Sequence, residues 1–146
     1  MKISTFVSVG ENIHCTRIYK TDGKNVKALA NGSHVIAYEA GGKPHQLPIA
    51  PVFKESADWQ AGKIKHCAAA IWQGNRGDKA GQEAGVHYLQ ALARSQEAHG
   101  ATYLDINVDE FSTDIEERAR LIQWTVGVVQ KAVKIPMSID SSNTRI

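Results

Sequence analysis

The clearest pattern of apolar and polar positions begins at residue 82. Apolar side chains there recur at steps of three and four, which is typical of one face of a helix. The series is Val86, Leu89, Leu92 and Ala93, and Gln96 falls on the same face. It ends at His99-Gly100, a cationic residue and then a glycine, as at many helix C-termini. Residues 101–108 are β-prone and become polar towards their end, so they predict a strand.

A second helix and a further strand follow with the same organisation. Thr113-x-x-Glu116 has the spacing of a capping box, in which two side chains satisfy backbone N–H groups at a helix start. The apolar positions of this helix are Ile115, Ala119, Ile122, Val126, Val129 and Val133. Pro136 ends the helix, and residues 137–140 predict the next strand. This alternation predicts βαβ units around a parallel sheet.

The first half of the chain is less regular. Residues 3–9 predict a strand that stops at Gly10, with a polar mouth over residues 10–14. Beyond it, residues 15–80 predict a strand over residues 34–39, a helix from Ser56 to Gly74 and a solvated loop up to Gly81. A connection of this length is uncommon unless it is functional or separately structured. We interpret residues 15–80 as an inserted hairpin-plus-helix cap.

Composition narrows the class of protein. The chain is 42% hydrophobic and 22% charged, with a formal net charge of +2 and scattered lysines. Nucleic acid and membranes are therefore not expected as partners. Cys15 and Cys67 form no CxxC pair, so neither a disulfide framework nor a structural zinc site is expected. With no signal-peptide pattern at the start of the chain, a cytoplasmic protein is expected.

Polar side chains cluster at the ends of three predicted strands. The segments are Glu11-Asn12-x-His14, Asp105-x-Asn107-x-Asp109-Glu110 and Asp140-Ser141-Ser142-Asn143. Asp105 and Asp140 lie 35 residues apart, about one βα unit. Because the carboxyl ends of parallel strands meet at one edge, these side chains predict a shared polar pocket. Carboxylates and amides suit a flat heterocycle with several N–H donors and ring acceptors.

Other roles remain open for the polar residues of these segments. Asp140 could cap the next helix, and Asp105 could be a structural carboxylate bonded to loop amides. Glu11 and His14 could bind a divalent metal, but two candidate ligands are a weak signal, and no metal site is expected. Cys15 beside His14 could form a nucleophile–base pair, although neighbours on an extended chain point to opposite faces.

Taken together, the three segments resemble the pterin-binding domain family. That family includes dihydropteroate synthases, the folate domain of cobalamin-dependent methionine synthase and methyltetrahydrofolate–corrinoid methyltransferases. The matching stretches are residues 9–13 (VGENI), 100–108 (GATYLDINV) and 135–143 (IPMSIDSSN). The Gly-Glu start and the Asp-Ile-Asn-Val run resemble the corrinoid methyltransferase branch. The Asn-x-Thr-Pro-Asp loop of dihydropteroate synthases does not occur here.

The resemblance implies a fold, a substrate and a set of binding residues. The expected fold is α/β, the opening strands and helices of a (β/α)₈ barrel, with residues 1–146 as the N-terminal part of one pterin-binding domain. Asp140 matches the strand-end aspartate that grips the pterin, where a carboxylate can accept two hydrogen bonds. Further pterin-binding positions are expected at Asn107, Glu11, Asp105, Asn12 and Asn143; no catalytic residue is assigned.

The implied reaction is transfer of the N5 methyl group of methyltetrahydrofolate to the cobalt of a corrinoid (cobalamin) carried on a partner protein or domain. The protein's part is to orient the pterin and to assist protonation of N5 as the C–N bond breaks. Two alternatives stay open: a dihydropteroate synthase-like condensation, and a non-catalytic module that binds pterin or a corrinoid protein. A homodimer is also left open.

The chain is short for this fold. A barrel needs eight strands and about 250 residues, whereas three barrel strands can be counted in 146 residues. An incomplete fragment, inactive by itself, is therefore expected.

Overall fold

The computed structural model describes residues 6–146. In chain order its strands and helices are β1 (Val9–His14), β2 (Ile18–Lys20), β3 (Val26–Ala28), β4 (His34–Ala40), β5 (Lys43–Pro48), α1 (Pro51–Lys54), α2 (Ala57–Gln60), β6 (Lys63–Lys65), α3 (His66–Arg76), α4 (Lys79–Ala98), β7 (Tyr103–Asn107), α5 (Ile115–Gln130) and β8 (Met137–Ile139). A single 3₁₀ turn, Asp109–Phe111, follows β7.

A parallel sheet organises the second half of the chain. β7 lies between β1 and β8 and pairs with both in the parallel sense. Leu104 and Ile106 of β7 are fully buried, as is Ile13 of β1, because α4 and α5 pack over the sheet. The predicted α/β class is thus confirmed. Among residues 6–146, the strands do not close into a barrel.

Two smaller antiparallel sheets occupy the connection between β1 and α4. β3, β4 and β5 form one sheet, and β2 pairs with β6 in the other. The segment predicted as a hairpin plus a helix therefore contains more elements than expected. Its apolar side chains Val26, Ile36, Leu47 and Ile64 join the same buried cluster as the parallel sheet.

The predicted helix from Ser56 to Gly74 is wrong as a continuous element. Ser56 does cap a helix, accepting a hydrogen bond from Trp59 N at 3.2 Å, but α2 lasts one turn. Gly62 adopts a positive φ of 74°, which glycine tolerates and a helix does not. Ile64 then pairs with Tyr19 in an antiparallel ladder before α3 begins, so tertiary pairing overrides the helical spacing.

Other predicted boundaries moved by a few residues. The strand expected over residues 3–9 lies partly outside the described residues, and residues 6–8 are not in a strand. β1 starts at Val9 because pairing with Tyr103 begins there. The loop predicted up to Gly81 is much shorter, since Asp78 caps α4 by accepting from Gly81 N at 2.8 Å. Asp114, rather than Thr113, caps α5, accepting from Glu116 N at 3.0 Å.

Helices α3 and α4 cross at very close range. A methyl group added at Gly85 would lie 2.5 Å from the carbonyl oxygen of Ala70 and 2.6 Å from the backbone nitrogen of Gly74. These distances are below van der Waals contact, so only glycine fits at position 85. Within residues 6–146, no helix is long and apolar enough to cross a bilayer.

Candidate functional site

Three polar side chains form one row across the carboxyl ends of the parallel strands. His14 of β1 lies opposite Asn107 of β7 in the sheet register. Asp140 follows β8 directly, and its N–H donates to the Ile106 carbonyl at 3.0 Å. Asp105 lies two residues before Asn107 and therefore shares its face of the sheet. Helices pack against the opposite face, which carries Ile13 and Ile106.

A bulge in β1 places His14 in this row. Gly10 pairs with Leu104 and Ile13 with Ile106, so β1 uses three steps where β7 uses two. One extra residue reverses the alternation of side chains. Without it, His14 would point to the apolar, helix-covered side. The bulge is not visible as a sequence pattern, so the sequence placed His14 in the polar pocket but could not predict the direction of its side chain.

Gln96 of α4 holds the bulge in place. Its Oε1 accepts the Asn12 N–H at 3.0 Å, and a methyl group at Gly10 would overlap the same side chain. On the other side, the Cys67 thiol donates to the Asn12 carbonyl at 2.9 Å. Sequence analysis placed Gln96 on the buried helix face but assigned it no contact with β1.

The row is joined by direct contacts. Asn107 Nδ2 donates to Asp140 Oδ2 at 2.9 Å, and His14 Nε2 lies 3.4 Å from the same oxygen. The ligand atoms of His14, Asp105 and Asp140 all lie within 4.8 Å of one another. The other ring nitrogen of His14, Nδ1, lies 2.6 Å from the Thr16 hydroxyl, and this contact helps to orient the ring.

Asp105 is the electrostatically unfavourable member of the group. Burial raises the pKa of its carboxyl, and the negative charge of Asp140 raises that pKa further. His14 and a hydrogen bond with Ser138 act in the opposite direction. These contacts replace the loop amides considered as partners for Asp105. In the described part of the chain, no lysine or arginine forms an ion pair with Asp105 or Asp140.

The remaining predicted site residues lie outside this contact network. Glu11 is exposed and paired with Arg17, although its charge still acts on Asp105. Asn12 is exposed and is engaged through its backbone. Asn143 belongs to a local turn, where its Oδ1 accepts the Arg145 N–H at 2.9 Å. The structure thus brings together Asp105, Asn107 and Asp140 and adds His14.

Asp109 secures the segment that carries Asp140. It accepts hydrogen bonds from the Ser141 hydroxyl at 2.7 Å and from the Ser142 N–H at 2.6 Å. Burial acts to raise its pKa, but these hydrogen bonds, together with Arg118, leave the pKa below its usual value. Ser141 and Ser142 are thereby tied to the 3₁₀ turn that follows β7, and residues 141–146 form no helix. The capping role considered for Asp140 stays a prediction.

Cys15 does not act with His14 as a nucleophile–base pair. Its side chain is fully buried, and burial raises the pKa of the thiol well above its ordinary value. Its N–H continues the ladder, donating to the Asn107 carbonyl at 2.9 Å. A thiolate is disfavoured in this environment.

A cavity of about 270 Å³ lies between α1, β6, α3 and the 3₁₀ turn that follows β7. Its walls are largely apolar and include Phe53, Trp72 and Phe111. At its edge, Lys65 Nζ contacts Glu110 Oε2 at 2.8 Å, so β6 is tied to the turn that follows β7. Residues of the 15–80 segment therefore reach the carboxyl end of the parallel sheet.

Comparison of the chain with protein-family models, with curated proteins and with solved structures found no match. The functional argument therefore depends on the site itself.

Proposed function

We propose that this chain forms the opening strands and helices of a pterin-binding (β/α)₈ barrel. In this proposal it binds methyltetrahydrofolate and transfers the N5 methyl group to a corrinoid cobalt on a partner protein or domain. The observation that carries the proposal is the contact between Asn107 and Asp140 at the carboxyl ends of neighbouring parallel strands. In α/β barrels, this end of the strands holds the chemistry.

The chemistry of the row suits a reduced pterin. Asp140 is about half-exposed, so its carboxylate can accept hydrogen bonds from a ring N–H and the adjacent amino group. Asn107 fixes the orientation of that carboxylate. An amide and a carboxylate held side by side provide both donor and acceptor functions to a heterocycle.

The sheet topology supports the barrel part of the proposal. β1, β7 and β8 lie side by side in the sheet in the order in which they occur in the chain, and both pairs are parallel, as are the first three strands of a (β/α)₈ barrel. The same order occurs in half of a dinucleotide-binding fold, but that fold places a glycine-rich turn after its first strand. Here residues 15–22 follow β1 and contain no glycine.

Methyl transfer is tested by supplying the intact protein with methyltetrahydrofolate and cob(I)alamin. The proposal predicts methylcobalamin formation that is lost in Asp140→Ala. Pterin binding without methyl transfer would favour the non-catalytic module, and turnover of a pterin pyrophosphate with an arylamine would favour the synthase-like condensation. Absence of pterin binding would overturn the proposal.

A further inference from the structure

Three of the polar side chains at the carboxyl ends of the parallel strands form a group to which the pterin proposal assigns no joint role. His14, Asp105 and Asp140 come from three adjacent parallel strands, and one ligand atom from each lies within 4.8 Å of the others. His14 and Asp105 are half-buried, whereas Asp140 is exposed. The group is therefore rigid on one side and open to solvent on the other.

We infer that His14, Asp105 and Asp140 bind a divalent first-row transition metal ion such as Zn²⁺. One imidazole nitrogen and two carboxylate oxygens are a donor set typical of such ions. Three protein ligands leave at least one position for water or substrate, as in catalytic rather than structural zinc sites. The metal site shares Asp105 and Asp140 with the proposed pterin site, and binding of the metal alone tests it separately from the proposed function.

The spacing fits a metal polyhedron. With bonds of about 2.0–2.1 Å, ligands of a tetrahedral ion lie about 3.3 Å apart. The distance between His14 Nε2 and Asp140 Oδ2 is 3.4 Å. The largest separation in the group is at most 4.8 Å, so the ligand atoms would have to move closer together to bind one tetrahedral ion.

Each ligand has a second contact that orients it. Thr16 contacts His14 Nδ1 with its hydroxyl at 2.6 Å and with its N–H at 3.3 Å, which orients the ring so that Nε2 faces Asp140. Asn107 donates to Asp140, and Ser138 hydrogen-bonds Asp105. Ligands of protein-bound metals are characteristically held in this way, and losing such a partner weakens metal binding about 10–100-fold.

Charge balance gives an independent argument. Two carboxylates approach each other here without an ion-paired lysine or arginine among residues 6–146. The nearby cations are already engaged, since Arg17 pairs with Glu11 and Arg118 with Asp109. A bound divalent cation would neutralise the two charges.

The test is equilibrium dialysis of the intact protein against ZnCl₂, with Co²⁺ substitution as a spectroscopic probe. The inference predicts one saturable ion per chain and a cobalt spectrum without thiolate-to-metal charge transfer. Asp105→Asn, Asp140→Asn and His14→Ala should each weaken binding at least about 100-fold, more than loss of an orienting partner. Thr16→Val should weaken it about 10-fold.

Matched controls are His99→Ala and Asp22→Asn, which remove an exposed imidazole and an exposed carboxylate elsewhere; both should bind like wild type. Near-isosteric Asp→Asn changes keep the test valid if His14→Ala fails to fold. Absence of saturable binding, a thiolate band in the cobalt spectrum, or loss with the aspartate variants but not with His14→Ala would each overturn the inference.

Discussion

The Asn107 side chain donates from Nδ2 to Asp140 Oδ2 at 2.9 Å, joining the ends of β7 and β8. The same amide accepts the Asp109 N–H through Oδ1, also at 2.9 Å. One buried asparagine thus fixes the carboxylate that we assign to the pterin and begins the turn that anchors residues 141–142. Hydrogen bonds of the Asn107 side chain, and not loop conformation alone, therefore hold the ends of β7 and β8 together.

Exchanging the two partners tests this relationship. Asn107→Asp should destabilise the fold, because the donor is lost and a second carboxylate faces Asp140; we expect about 1–3 kcal/mol. Combining it with Asp140→Asn should restore much of that loss, since an amide again faces a carboxylate. Urea denaturation of the four proteins measures the coupling energy. Purely additive effects would show that the contact has no energetic role.

Much of this site was predictable from the sequence, but the bulge in β1 that orients His14 was not. The apolar periodicity of α4 and α5 depends on residues close together in the chain, so these helices and β7 were predictable, although the N-cap residues Asp78 and Asp114 were not. The convergence of Asp105, Asn107 and Asp140 followed from the parallel strand order. His14 was expected in the same polar pocket but was not assigned as a binding residue; its direction depends on a bulge held by Gln96, which is 84 residues from Asn12.

The support of the bulge by Gln96 leads to a second prediction. Gln96→Leu keeps the side chain buried but removes the acceptor for the Asn12 N–H, so we expect a loss of about 1 kcal/mol in unfolding free energy. Amide hydrogen exchange should become faster at Asn12. Gln123→Leu, on the exposed side of α5, is the control and should leave Asn12 unchanged. Equal protection of Asn12 in all three proteins would contradict this role of Gln96.

The close approach of α3 and α4 gives a third prediction with a matched control. Alanine is a better helix former than glycine by about 1 kcal/mol, yet Gly85→Ala should destabilise the protein by about 1–3 kcal/mol because it forces the helices apart. In Gly127→Ala the added methyl meets nothing within 4 Å, so the helix propensity should dominate and stabilise the protein. Thermal unfolding of both variants measures the difference. The same sign for both would contradict the packing argument.

His66 should make stability depend on pH. Its ring is buried, stacked on Tyr19 and 3.0 Å from the Tyr88 hydroxyl. Burial, with a smaller effect of Arg17, lowers its pKa from 6.5 to about 4. The unfolded chain therefore binds the proton first, and the stabilisation is complete above about pH 7 and is lost as pH falls from 6.5 towards 4.

This difference corresponds to about 3 kcal/mol in the unfolding free energy. It is measured by urea denaturation of wild type and His66→Gln at pH 7.5 and at pH 4.5. The variant should lose less stability between these pH values, because glutamine has no proton to gain. Parallel losses in the two proteins would show that His66 is not the group responsible.

Calorimetric titration of the intact protein with methyltetrahydrofolate, in the presence of a metal chelator, tests the central claim most directly. We predict that Asp140→Ala weakens binding by about 2–4 kcal/mol, or about 30- to 1,000-fold, because a charge-assisted hydrogen-bond pair is lost. Asp22→Asn should bind like wild type. Equal affinities of wild type and Asp140→Ala, or no binding by either protein, would contradict a pterin cradle at these strand ends.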